Sequence, residues 1–427
     1  MPLLELYHYA TMLVTPLAER ALDWRAAQGK EDSARLDERM GRPSRPRPAG
    51  RLVWLHGASL GEGLSLLPLV ERFIQQGVET LVTTGTVSSA QAVRARLPAG
   101  AGHQYAPLDS PQFVASFLDH WRPDVAVFAE SELWPNMIAG LRARHTPLVL
   151  ANARISETSA ARWARWPRTA RRIFSAIDLC LAQDVDNAAR FSALGAPNVR
   201  VAGNLKFDAP SPPADAARLA AFTAAIGQRP VWAAVSTHPD EETAILDAHS
   251  ILTQRLPTLL TLIAPRHPER GAPIAERARA RGLTVAQQST GAEPAPDAQL
   301  YIADTLGELG VIFRSADVVF MGKSLTAPGG GQNPIEPAKC GSVILHGPHV
   351  SNFAQVYAAL DADKGAAQVD DADALARAVH FLLADPATLR RMGRAAVTSV
   401  EKFGGAARAT VTAIEPYLAQ RRALERR

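Results

Sequence analysis

A chain of 427 residues is too long for one ordinary hydrophobic core and suits two α/β domains. Hydrophobic residues make up 47% and charged residues 21%, which excludes disorder as the main state. The net charge of +4 is a modest basic excess, and the two cysteines, Cys180 and Cys340, each lie inside an apolar stretch, so they are expected to be buried small hydrophobes rather than a disulfide or a zinc site.

In chain order, residues 1–17 are apolar apart from Glu5 and His8. They lack a basic leader and a small-residue cleavage site, so secretion is not expected. The segment is also too short and too interrupted to span a bilayer. It reads either as an amphipathic segment lying on a membrane, followed by arginines that stay cytoplasmic, or as a core helix of the first domain. Strands are then predicted over Leu52–Leu55, Thr80–Thr84, Asp124–Ala129, Pro147–Ala151, Leu179–Ala182 and Val199–Ala202, with helices such as Glu62–Gln76 and Val87–Leu97 between them. Continuous apolar runs suit parallel strands covered on both faces, and the βαβ alternation predicts a doubly wound sheet. Arg162, Arg165, Arg168, Arg171 and Arg172, with Trp163 and Trp166 among them, suit either an anionic membrane surface or a solvated helix face.

The Pro-rich stretch 208–216 reads as a linker. Strands resume at Val231–Val235, Leu259–Ala264, Leu300–Ala303, Val318–Met321 and Val343–Leu345, and helices are expected at about 371–384, 386–402 and 404–425, before a tail with Arg421, Arg422, Arg426 and Arg427. The expected organisation is a membrane-proximal segment 1–50, a Rossmann-like domain 51–207, the linker, a second Rossmann-like domain 217–402, and a C-terminal helix with basic tail 403–427. Two such halves about a hinge predict a ligand cleft between them.

Polar residues cluster at the predicted strand ends, where open α/β sheets bind ligands. His56-Gly57-Ala58-Ser59-Leu60-Gly61-Glu62 contains Ser59-x-x-Glu62, which is either a capping box or a carboxylate presented as a general base. Glu130-Ser131-Glu132 follows the strand Asp124–Ala129; Glu132 suits the approach to a helix opened by Pro135, and Glu130 is the better functional candidate. Lys206, in Gly203-Asn204-Leu205-Lys206-Phe207-Asp208, brings a cation that suits a leaving phosphate. In the second half, Arg266 suits bidentate phosphate recognition, while Arg270 is equally a surface residue. Thr305-x-x-Glu308 reads as a second capping box. Gly329-Gly330-Gly331-Gln332-Asn333-Pro334-Ile335-Glu336 reads as a glycine loop running into a helix, with Asn333 as N-cap and its N–H groups open to a phosphate. It matches neither a Walker A loop nor a dinucleotide fingerprint, which disfavours an ATPase or a dehydrogenase.

Taken in order, His56-x-x-Ser59-x-Gly61-Glu62, Glu130-x-Glu132-Leu133-Trp134-Pro135-Asn136, Asn152-Ala153-Arg154-x-Ser156, Gly203–Asp208, Ser236-Thr237-His238, Pro265–Arg270, Asp304-Thr305-x-Gly307-Glu308-Leu309, Asn333-Pro334-x-Glu336 and Gly347-Pro348-His349 resemble the Kdo transferases (3-deoxy-D-manno-octulosonic acid transferases) that act on lipid A precursors. The resemblance implies an α/β, GT-B type architecture of two doubly wound domains facing a central cleft. It implies an inverting transferase that moves Kdo from CMP-Kdo to lipid IVA at the cytoplasmic face of the inner membrane, with no cofactor, no metal and no nucleic-acid partner. By motif, Glu62 is the general base, and Glu130 and Lys206 support the transition state. CMP contacts fall on Pro265, Arg266, Leu306, Gly307, Glu308, Asn333, Pro334, Ile335 and Glu336. Gln332 and Lys323 depart from the family's usual histidine and glycine. The alternatives are a GT-B transferase using a UDP-sugar, and a non-catalytic nucleotide-sugar sensor, against which the joint presence of Glu62, Glu130 and Lys206 argues.

Overall fold

The computed structural model describes residues 3–424, with the side chains of 420–424 excepted; the tail cations Arg421, Arg422, Arg426 and Arg427 lie outside the described side chains. The chain forms two compact units, Met1–Ala209 with Gly404–Arg427, and Pro210–Phe403. The first unit holds a seven-stranded parallel sheet: β1 (Leu52–His56), β2 (Glu79–Thr84), β3 (Gly102–Tyr105), β4 (Val125–Ala129), β5 (Leu148–Ala153), β6 (Leu179–Ala182) and β7 (Val199–Val201), in the order β3-β2-β1-β4-β5-β6-β7. The second holds β8 (Val231–Thr237), β9 (Leu260–Pro265), β10 (Val285–Gln287), β11 (Leu300–Ile302), β12 (Val318–Met321), β13 (Val343–His346) and β14 (Ala366–Gln368), in the order β10-β11-β9-β8-β12-β13-β14.

Strand order reverses between β1 and β4 in one sheet and between β8 and β12 in the other. Connections leave these neighbouring strands in opposite directions, so their carboxyl ends open a crevice in each sheet. Side chains of β1 alternate between faces. Leu52 and Trp54 pack with Phe117, Trp121 and Met137, whereas Val53 and Leu55 pack with Val70, Phe73 and Ile414. The predicted helix Glu62–Gln76 is two helices, Leu60–Ser65 and Leu67–Gln75, because Pro68 at the start of the second has no N–H to continue the first. β3, β10 and β14, absent from the sequence reading, are short edge strands containing Gln or His, so no apolar run announces them. Cys180 is buried as expected, but Cys340 is partly exposed.

Arginines between residues 18 and 50 serve the fold more than any surface patch. Arg25 and Arg39 pair with the buried Glu31, Arg35 with the buried Glu38, and Arg47 with Asp124. The helix Leu3–Val14 buries none of its residues, contrary to a core-helix reading. Partly buried Leu4 packs against the core, and polar contacts hold the rest: Tyr7 donates to Asp109 at 3.0 Å, and His8 Nδ1 lies 2.9 Å from Asn136 Oδ1. Leu6, Leu13, Val14, Leu17 and Trp24 remain exposed.

The last helix, Ala406–Leu424, returns to the first unit and buries Ala406, Ala407, Val411, Ile414 and Leu418 against its sheet. Asp208 starts it, accepting from Gly405 N at 2.5 Å and Ala407 N at 2.6 Å. Asp208→Ala is therefore expected to destabilise the first unit by about 1–2 kcal/mol, as loss of an N-cap does. Urea unfolding measures this, and an unchanged midpoint would contradict the assignment.

Candidate active site

In the first unit, four residues from separate segments meet at the reversal point. β1 ends at His56, and Gly57 lets the following turn fold back, since a Cβ there would lie 2.8 Å from the Glu62 carbonyl carbon. Ser59 Oγ accepts from Glu62 N at 3.3 Å and Glu62 Oε2 accepts from Ser59 N at 3.0 Å, so the predicted capping box is formed. It engages one carboxylate oxygen and leaves Oε1 outside the box. Glu62 is half-buried, and its proton affinity is raised, chiefly by burial; the Ser59 N–H opposes this, and the charges of Glu132 and Glu130 add to it.

Glu130 follows β4 with a left-handed backbone, φ 52°. Its Oε1 accepts from Lys206 Nζ at 2.7 Å. Lys206 stands on the turn Leu205–Phe207, which Asn152 fastens by accepting from Leu205 N at 3.0 Å. Asn152 also has φ 54°. Backbone conformations unfavourable to side chains at both strand ends are the kind of strain that structures hold at working sites. The sequence offered Asn152 only as part of a motif; its role in carrying the Lys206 turn depends on a contact between residues 53 positions apart.

Glu132 is also part of this cluster. Its Oε2 accepts from the Trp134 indole N–H at 2.5 Å and faces the buried His56 Nε2 at 3.6 Å. Among the described residues His56 Nε2 has no hydrogen-bond partner.

The second unit gathers cations at its own reversal point. After β8, His238 is partly buried, and its proton affinity is lowered by burial and then by the charges of Lys323, His267 and Arg266. Pro265 closes β9, and Arg266 donates its backbone N–H to Thr237 at 3.1 Å while its side chain is exposed. Arg270 instead pairs at 2.6 Å with the buried Glu242, a structural role. Lys323, with φ 59°, and Gly322 are shaped by the fully buried Glu241, which accepts from Lys323 N at 2.5 Å and His238 N at 3.1 Å. A Cβ at Gly322 would lie 2.4 Å from Ser236 O, so glycine is required there.

The glycine loop is fixed by neighbouring backbone. Gly331 N donates to Lys323 O at 2.7 Å, Gly330 N to His349 O at 3.0 Å, and Asn352 Nδ2 to Gly331 O at 3.2 Å. Gln332 Nε2 lies 3.3 Å from His238 Nε2, so the departure from the family's usual histidine still reaches this cluster. The helix begins later than expected, at Ile335, and is only five residues long. Asn333 Oδ1 accepts from Ile335 N at 3.1 Å, and Asn333 Nδ2 donates to Glu336 at 3.2 Å, while Pro334 and Ile335 are buried. The second predicted capping box is not formed. The helix starts at Leu309 rather than at Thr305, and Glu308 turns to Arg218 at 3.5 Å, leaving Leu306 exposed and Gly307 at φ 95°.

Three Asp-x-Asp triplets occur, at Asp184, Asp361 and Asp371. Asp184 and Asp371 cap helices, Asp361 faces His346 and Asp363 pairs with Lys402. Among the described residues no group of three or more His, Cys, Asp or Glu is arranged to hold a metal ion.

The fold is shared with solved structures of a glycosyltransferase and an epimerase. A glycosyltransferase from Rickettsia africae ESF-5 superposes over 87% of this chain and 98% of its own, with TM-score 0.59 at 10% identity. UDP-GlcNAc 2-epimerase from Neisseria meningitidis covers 87% of this chain and 100% of its own, with TM-score 0.56 at 12% identity. With two parallel doubly wound sheets, this defines a GT-B type fold. Residues 34–209 match the family model for 3-Deoxy-D-manno-octulosonic-acid transferase (kdotransferase). A probable mitochondrial 3-deoxy-D-manno-octulosonic acid transferase of Arabidopsis thaliana is 34% identical over 405 residues, 91% of this chain and 90% of the relative. The Haemophilus influenzae enzyme is 34% identical over 90% of this chain and 91% of its own, and that of Bordetella pertussis 35% over 87% and 89%. The chain belongs to the 3-deoxy-D-manno-octulosonic acid transferase family of glycosyltransferases.

Proposed function

We propose that the protein transfers Kdo from CMP-Kdo to a hydroxyl of lipid IVA, with inversion at the anomeric carbon and without a metal ion. The observation that carries this reading is Glu62, half-buried and of raised proton affinity, with one carboxylate oxygen outside its cap and Glu130, itself paired with Lys206, close enough for its charge to act on it. Glu62 takes the acceptor proton as the new C–O bond forms, and CMP departs as a phosphate monoester. Glu130 and Lys206 support the transition state. Pro265, Arg266, Leu306–Glu308 and Asn333–Glu336 hold the nucleotide, the cations around His238 being suited to its phosphate.

Incubation with CMP-Kdo and lipid IVA in the presence of EDTA, followed by mass spectrometry, tests the reading. Lipid products heavier by whole Kdo units are expected; product formed only from a UDP-sugar, or only with added metal, would overturn it.

For location, the proposal is the cytoplasmic face of the inner membrane. No helix among the described residues is long and apolar enough to cross a bilayer. The exposed apolar side of Leu3–Val14 and the exposed Trp166, in its arginine-rich stretch, suit an anionic surface. Leu6→Glu with Leu13→Glu is expected to reduce co-sedimentation with phosphatidylglycerol vesicles several-fold; unchanged binding would count against this face.

A further inference from the structure

The cluster behind Glu62 contains a carboxylate and an imidazole that the proposed chemistry does not use. His56 is only 1% exposed. Its Nδ1 lies 2.9 Å from Thr83 Oγ1, which also accepts the Trp54 indole N–H at 2.8 Å. Trp54 can only donate, so the threonine proton is free for Nδ1, and in the tautomer that uses it Nε2 carries the hydrogen. That Nε2 faces Glu132 Oε2 at 3.6 Å, too long for a hydrogen bond but within reach of the ring's N–H dipole, and Trp134 N–H closes on the same oxygen at 2.5 Å. Burial alone would favour the protonated form of Glu132, but the facing imidazole, the indole and the Glu62 carboxyl together outweigh it and leave its proton affinity lowered. Two neighbouring glutamates resist joint ionisation, so a Glu132 kept charged drives the proton toward Glu62.

We propose that Glu132, held by His56 and Trp134, is a positioning residue that sets how strongly Glu62 takes up the acceptor's proton. The inference rests on Glu62 being the general base. In the step itself the hydroxyl proton passes to Glu62 as the hydroxyl oxygen bonds to the anomeric carbon and the bond to the CMP phosphate breaks; Glu132 gains and loses nothing. The other charged groups of the neighbourhood are Glu130, paired with Lys206, and Asp109, on whose carboxyl His56 also acts weakly. Glu71, Arg72 and Arg94 on the adjoining helices are exposed.

The test compares full-length wild type with Glu132→Gln, following kcat against pH at saturating CMP-Kdo and lipid IVA. Removing the charge weakens Glu62 as a base. The acid limb is expected to move about one pH unit lower, and the plateau to fall roughly 3–10-fold, as a weaker base dictates. The KM for CMP-Kdo is expected to stay unchanged. A residue needed only for folding would scale the whole profile and leave the limb in place, which would overturn the proposal. A second measurement does not need turnover: carboxyl carbon NMR of glutamate-labelled protein, with the Glu62 signal assigned by Glu62→Gln, should show its titration midpoint lower in Glu132→Gln. Normal turnover by Glu62→Gln would defeat the general-base reading and this inference with it. Loss of turnover in that variant together with an unmoved midpoint in Glu132→Gln defeats this inference alone.

Discussion

Glu62→Gln is expected to lower kcat by about 10²–10⁴-fold, the range general-base catalysis supplies, with binding of CMP-Kdo unchanged. The two roles of this residue separate cleanly in that variant. Gln at the third helical position can still accept the Ser59 N–H, so the capping box survives. Stability should hold or rise slightly. A carboxyl whose folded proton affinity is raised favours the fold at low pH and loses that contribution as pH climbs through its folded value; near neutrality the charged form is the costly one, and the neutral amide removes the cost. Activity in the wild type has the opposite dependence: the base works when deprotonated, so the rate falls as pH drops through the raised value. Stopped assays of CMP release, donor binding by calorimetry and a thermal melt are sufficient. Full turnover by the variant would make Glu62 a cap and nothing more; lost donor binding would mean that the substitution had disturbed more than a proton acceptor.

Much of the scaffold could be foreseen because its physical cause is local. Strands such as β4 and β12 are continuous apolar runs, and a strand buried on both faces leaves that mark in one dimension. The Ser59 box was equally legible, since both partners lie within one helical turn. Thr305 and Glu308 had the same spacing and failed. Arg218, far away in sequence, claims Glu308, and a distant charge outweighs a cap that the spacing merely permits. The same limit hid the meaning of the N-terminal arginines, whose partners Glu31 and Glu38 are visible as buried carboxylates only once the chain is folded. At the site, Glu62, Glu130 and Lys206 could be picked out by motif, but the 2.7 Å contact between Glu130 and Lys206, the turn held by Asn152, and the line from Thr83 through His56 to Glu132 join different strands. Left-handed backbone at Glu130, Asn152, Ser236 and Lys323 was also unreadable, because none is the glycine that usually announces it.

Lys206→Met is expected to reduce kcat by about 10²–10³-fold, comparable to removing one preorganised electrostatic contact to a developing charge. It should also destabilise the first unit modestly, on the order of 1 kcal/mol, because the pair is partly solvated and Glu130 is left as a half-buried carboxylate without its cation. A second substitution tells the two effects apart. Adding Glu130→Gln removes the orphaned charge, so the double variant should recover most of the lost stability. Its rate should not recover, since the positive charge offered to the reacting centre is still missing. If Lys206 served only to neutralise Glu130, the double variant would recover its stability and turn over as fast as Glu130→Gln alone. Thermal melts and kcat measured on the same preparations of the two single variants and the double variant therefore decide between a structural ion pair and one aimed at the transition state.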